Sequence, residues 1–142
     1  MNRRDTLLGA GALLAVMAEA GAQEMQHQHM HGENPLKSLV LASTDCAAKA
    51  DLCLAHCMQL LTHGDTSLVE CARAVSQTKA ICTALVSLAA QQAIYAPELA
   101  KVALQACKSC EAECRKHTEH PECKACAESC AVCIRECQRI AV

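Results

Sequence analysis

Residues 121–140 read PECKACAESCAVCIRECQRI, and these positions decide the fold. At about 100° per residue, Cys123, Cys126, Cys130, Cys133 and Cys137 fall within an arc of about 80°, while Lys124, Glu128, Arg135 and Glu136 take the other side. A helix that is thiol on one face and charged on the other buries the thiols. Pro121 suits a first helical turn, where its missing N–H costs nothing, so the helix opens there and runs to near Ile140.

The same pattern recurs outward from this segment. Pro35 and Gly64 bracket a helix over roughly 36–62, whose Cys46, Cys53 and Cys57 share an arc of about 40°. Thr66 or Ser67 is placed to cap a second helix, with Glu70 completing a capping box, and it is expected to reach about Ile94; its Cys71 and Cys82 lie within about 20° of each other. Pro97 opens a third helix ending near His117, with Cys107, Cys110 and Cys114 within about 60° and Lys108, Glu111 and Arg115 opposite. Short connections force neighbouring helices to be antiparallel, so the expected fold is all-α: an up-down-up-down four-helix bundle over 36–142 with a cysteine-lined core.

Counting from the turns predicts depth along the bundle. Cys57, Cys71, Cys114 and Cys123 are expected near the loops at His63 and at Thr118 to His120. Cys46, Cys82, Cys107 and Cys130 should form a second level about 15 Å deeper, with Cys53, Cys110 and Cys126 between. Beyond it, Cys133 and Cys137 face Leu39, Ala42, Leu85 and Ala89, so one end is expected to be open to ligands and the other closed by aliphatic packing.

Composition narrows the classes further. The chain has 142 residues, enough for one domain, and is 52% apolar with a single Tyr and no Phe or Trp. A net charge of −2 and the lack of a basic stripe exclude a nucleic-acid binder. Thirteen cysteines are an odd number, so complete intramolecular pairing is impossible. Residues 1–22 read as a cleaved export leader: Arg3 and Arg4, an apolar stretch from Leu7 to Ala18 too short to span a membrane, then Ala18 to Ala22 with cleavage after Ala20 or Ala22. The adjacent arginines resemble a twin-arginine signal, with Thr6 where that motif favours Phe. The mature chain is therefore expected outside the cytoplasm, in the periplasm, with no membrane span. A polar tail over 23–35 carries Met25, His27, His29, Met30 and His31, donors that suit copper capture, and is expected to be disordered.

Three roles compete for the thiols. A disulfide framework is natural for an exported chain, but cysteines three or four apart on a helix hold their Cβ atoms about 5–6 Å apart, wider than the roughly 3.5–4.5 Å a bridge needs. Plain core packing would use Ala or Val in a compartment that oxidises thiols. Metal remains. Zinc and iron–sulfur clusters need about four sulfurs gathered compactly, which leaves a continuous stripe unexplained. Cu(I) is soft, accepts two or three sulfurs and shares them with neighbouring ions. One monovalent cation per thiolate also leaves the core near neutral, whereas bare buried thiolates would be prohibitive.

The leader, the four-helix pattern, the thirteen Cys and the Cys-x-x-x-Cys pairs 53/57, 110/114, 126/130 and 133/137 resemble the exported bacterial copper storage proteins. That resemblance implies a four-helix bundle holding many Cu(I) ions on these thiols, supplemented by Met and His at the open end, and a tetramer. Met58, His56 and His63 stand near the corresponding place, although Met58 points away from the stripe and His56 lies at its edge. His63, His117 and His120 are candidates for a mouth through which copper passes. Helix 2 carries few charges and is apolar on more than one face, as a subunit interface would be.

Other classes fit less well. A thiol oxidoreductase would place its Cys-x-x-Cys at a helix start beside a sheet, and no strand is predicted here; a disulfide-stabilised bundle meets the spacing problem above. A copper chaperone would need one or two exposed ligands. No catalytic constellation is present, so the chain reads as a Cu(I) store serving an unidentified acceptor protein, not as an enzyme. Its helices are expected to form before metal binds.

Overall fold

The computed structural model describes residues 32–141; the expected leader and the histidines and methionines of the tail lie outside them. Four helices follow in order: α1, Lys37–Thr62; α2, Val69–Ala90; α3, Ala96–Cys114, continued by a 3₁₀ turn over Arg115–His117; and α4, Pro121–Ile140. There is no strand among the described residues. Each helix packs on two neighbours in the cycle α1, α2, α3, α4, which closes the expected antiparallel bundle. Helix α4 begins at Pro121 and ends at Ile140, as its sequence predicts.

Small side chains set the core. All thirteen cysteines are fully buried, with Ala50, Ala89, Ala100 and Ala103 and only a few larger groups: Leu39, Leu68, Val75 and Leu85. Fully burying one of these leucines contributes about 1.5–3 kcal/mol. They sit towards the two ends. Leu39, Leu85, Ala89 and Ala96 belong to the end where α1 and α3 start and α2 stops, while Leu68 lies at the other, with Leu60 and Leu61 packed against the core.

Two expectations need correction. The capping box on α2 does not form: α2 starts at Val69 with no side-chain cap, and Asp65 Oδ1 instead accepts the Ser67 amide at 2.9 Å. Aspartate two residues before an amide closes its own turn, in competition with the hydroxyl caps. Helix α2 also stops at Ala90, short of Ile94, because Gln92 takes φ 52° and the Ala93 and Gln92 amides return to the carbonyls of Leu88 (2.9 Å) and Ala89 (3.1 Å). That is a Schellman turn with glutamine in the position glycine usually fills. The apolar side chains of α2 divide between core and surface, with Val69, Ala74, Ile81, Val86 and Leu88 half-buried. Ala72, Val75, Leu85 and Ala89 are buried, and the exposed positions are Glu70, Arg73, Ser76, Gln77, Ala80, Thr83, Ala84, Ser87 and Ala90. The exposed large apolar side chains belong to other segments, among them Leu41 and Leu52 of α1, Val102 of α3 and Val132 of α4.

Candidate metal centre

Every helix turns its cysteines inward, and the sulfurs meet both across helices and along them. Four groups have all their sulfurs within 4.8 Å of one another: Cys53, Cys57, Cys71 and Cys123; Cys53, Cys114 and Cys126; Cys110, Cys126 and Cys130; and Cys46, Cys82, Cys107 and Cys133. Cys53 and Cys126 each belong to two groups, so the first three join corner to corner. A 3.7 Å contact from Cys130 to Cys46 links them to the fourth, and Cys133 meets Cys137 at 3.9 Å. All thirteen are free thiols in one connected chain of sulfurs.

The levels differ in two respects from the counting. At the loop end Cys53 joins Cys57, Cys71 and Cys123, while Cys114 groups with Cys53 and Cys126. The deep four-sulfur group takes Cys133, and Cys130 falls in the interval with Cys110 and Cys126. The 3₁₀ turn at 115–117 rises about 2.0 Å per residue instead of 1.5 Å, which pushes Cys107 further from the α3–α4 turn and opposite a later residue of α4. The expected open end is also closed at rest: Cys57, Cys71, Cys114 and Cys123 have no exposed surface.

Thiols this close polarise one another, because a thiolate that accepts S–H bonds is favoured and its donors are held protonated. Hydrogen bonds from Cys107 and Cys130 lower the Cys46 thiol to about 5. Cys110 is driven down by Cys114 and then Cys126, and Cys133 by Cys107 and then Cys137. Cys114 and Cys137 go up in return, chiefly through their bonds to Cys110 and Cys133. At the loop end burial dominates and pushes Cys57 and Cys123 up. Such a core holds a few thiolates among S–H donors and gains charge balance by exchanging protons for soft monovalent cations.

The candidate histidines separate. His63 is exposed and sets its Nδ1 2.8 Å from the Gln59 carbonyl, as a residue ending α1. His117 lies 3.9 Å from Glu119. His120 meets His56, its Nδ1 3.0 Å from His56 Nε2, with ring centroids 4.9 Å apart. The outward nitrogens of this pair lie beside carboxylates: His120 Nε2 at 3.7 Å from Glu119 and His56 Nδ1 at 3.6 Å from Glu122. His56 was visible in the sequence only as the edge of the thiol stripe; its partner sits 64 residues away, beyond the reach of helical spacing. Met58 is exposed, as its position off the stripe requires.

A helical bundle whose interior is a continuous run of free, mutually bonded thiols defines a container for soft metal ions. The chain belongs to the copper storage protein family, Csp, whose sequence model matches residues 32–142. Solved structures share the fold. A Cu(I)-bound copper storage protein, BsCsp3, is 24% identical with a TM-score of 0.68 over 75% of this chain and 98% of that one. The apo copper storage protein 3 of Bacillus subtilis is 25% identical with a TM-score of 0.67, covering 75% and 99%. The copper storage protein Ccsp of Streptomyces lividans, loaded with 10 copper equivalents, is 24% identical with a TM-score of 0.67, covering 78% and 88%. No curated protein matches the chain. No helix among the described residues is long and apolar enough to cross a membrane.

Proposed function

We propose that the protein stores on the order of ten Cu(I) ions per chain on its core thiolates, outside the cytoplasm, for release to an acceptor protein or to remove excess copper. The ligands are Cys46, Cys53, Cys57, Cys71, Cys82, Cys107, Cys110, Cys114, Cys123, Cys126, Cys130, Cys133 and Cys137. Shared corners at Cys53 and Cys126 carry this reading, since they let neighbouring ions bridge one sulfur. Copper passes at the loop end, where His63, His117 and His120 stand around Cys57 and Cys123, after side chains there move aside. The protein acts as a store rather than a catalyst. The leader at 1–22 takes it to the periplasm, the tail histidines His27, His29 and His31 capture copper, and the mature chain assembles as a homotetramer; family likeness and the leader sequence support these points.

Anaerobic Cu(I) titration of the purified mature chain, with a parallel thiol count, tests the reading. A store takes up about ten ions and presents close to thirteen reactive thiols when unfolded. Uptake of only one ion would instead make it a chaperone, and a thiol count near one would make it a disulfide scaffold.

A further inference from the structure

Among the described residues three polar side chains are buried in the core: Ser43, Thr78 and Ser129. Two of them spend their hydroxyl protons on the main chain. Thr78 Oγ1 donates to the Ala106 carbonyl at 3.1 Å and Ser129 Oγ to that of Cys126 at 2.8 Å. A hydroxyl inside a helix commonly turns to a carbonyl of the preceding turn, as the exposed Thr44 does to Val40 at 2.8 Å. Its neighbour Ser43 does not. Ser43 Oγ reaches from α1 to Cys133 Sγ of α4 at 3.7 Å, a hydrogen-bond distance for an atom as large as sulfur, and has no other partner among the described residues.

That contact suits one state of the sulfur better than another. A neutral thiol is a weak acceptor, and a hydroxyl held out of water with so poor a partner costs more than an alanine in the same space. A thiolate, free or bound to a metal ion, accepts an O–H bond strongly because it carries charge. The hydroxyl is therefore matched to an ionised or copper-bound Cys133. This sulfur belongs to the deep group with Cys46, Cys82 and Cys107, and it touches Cys137 at 3.9 Å. Four thiolates around few cations leave net negative charge in a buried place, where an O–H dipole aimed at it offsets part of the cost. We propose that Ser43 is a positioning residue for copper: its O–H donates to the Cys133 sulfur, fixes the direction of that sulfur and spreads its charge, so that the deep group holds its Cu(I) most tightly. This inference rests on the storage reading above. The hydroxyl oxygen is too hard to be a Cu(I) ligand itself and acts on the ion only through sulfur, as hydrogen bonds behind metal ligands do.

Anaerobic competition between the purified chain and a Cu(I) chelator tests this. The total capacity of the parent judges the storage reading separately, since it is measured with Ser43 in place. Ser43→Ala should keep that capacity and the helicity, because all thirteen cysteines remain, and should weaken the most tightly held Cu(I) by about 10-fold while the weaker ions stay as they were. Ser129→Ala, which removes a buried hydroxyl that serves the main chain, should leave every Cu(I) unchanged. In a Cys133→Ala background, Ser43→Ala should weaken the remaining copper no further, because the sulfur it acts through is gone. A merely structural serine would act with or without Cys133. Parent-like affinity in Ser43→Ala, equal losses in Ser43→Ala and Ser129→Ala, or an undiminished effect of Ser43→Ala without Cys133 would each overturn the proposal and leave the storage reading standing.

Discussion

The two ends of the bundle enclose the same run of sulfur in opposite ways. Where α1 and α3 begin, the last sulfurs, Cys133 and Cys137, give way to Leu39, Leu85, Ala89 and Ala96. The chain leading into α1 is fastened there by Asn34, whose Nδ2 donates to the carbonyls of Ala89 (3.1 Å) and Ala90 (3.3 Å). At the loop end the residues flanking Cys57 and Cys123 in sequence, His56 and Glu122, are polar and partly exposed, as are His120 and Glu119 beside them. Burial is complete at both ends, so access is decided by what surrounds the thiols. An aliphatic plug resists opening because every displaced methylene returns to water, at about 0.8 kcal/mol each; imidazoles and carboxylates swing out into solvent at little cost.

The contrast can be broken most forcefully at the plug. Leu85→Ala leaves a cavity in an aliphatic layer and is expected to lower the stability of the apo protein by about 2–5 kcal/mol, read from urea unfolding followed by circular dichroism. Its Cu(I) capacity should stay that of the parent. Cys57→Ser at the loop end should instead remove about one Cu(I) from the count, at a stability cost of about 1–3 kcal/mol for its buried hydroxyl. If both variants lost copper and stability in proportion, the two ends would not differ in role.

Acid should separate the two regions by a smaller margin. Cys57 and Cys123 are held protonated by burial, so each Cu(I) they take must expel a proton, and affinity falls about tenfold per pH unit for each proton displaced. Cys46, lowered to about 5, is already a thiolate at neutral pH and competes with protons only once the pH nears that value. Cys133 is lowered as well, so the deep group offers two ionised sulfurs, whereas only Cys53 is lowered in the group at the loop end. Between pH 8 and 5 copper should therefore leave the loop end first. Chelator competition across that range, in parent, Cys57→Ser and Cys46→Ser, measures it: removing Cys57 should flatten the pH dependence and removing Cys46 should not. Equal slopes in all three would contradict the charge pattern.

How far these differences were legible in sequence follows from the range of the forces involved. Helical period and burial are local, so the thiol faces, the helix α4 bounds and the aliphatic end followed from spacing alone. Pairings across the bundle depend on helix length and rise. One 3₁₀ turn after Cys114 was enough to exchange Cys130 for Cys133 in the deep group. The meeting of His56 with His120 was hidden for the same reason, since alone one reads as the edge of a thiol stripe and the other as an ordinary helix-end histidine. The end of helix α2 depended on a backbone conformation that glutamine seldom adopts.

That conformation supplies the finest comparison of the two ends. Helices α1 and α2 finish in the same Schellman turn. Asp65 and Gly64 return to Leu60 and Leu61 at 3.1 and 3.0 Å, as Ala93 and Gln92 return to Leu88 and Ala89. The left-handed residue is glycine at the loop end, φ 86°, and glutamine at the plugged end, φ 52°. An L side chain in that region costs about 1–2 kcal/mol through contact of its Cβ with the carbonyl, against which glycine carries the larger entropy loss on folding. Nothing lies within 4 Å of a Cβ built on Gly64, so Gly64→Ala exposes the backbone cost alone and should destabilise by about 1 kcal/mol. Gln92→Gly relieves the same strain and should stabilise by a few tenths of a kcal/mol up to about 1. Paired urea melts of the apo variants measure both. Opposite signs would show that the α2–α3 turn is held in its shape by the packing of Leu85 and Ala89 beneath it, whereas two losses would mean that the Gln92 side chain earns its place through contacts of its own.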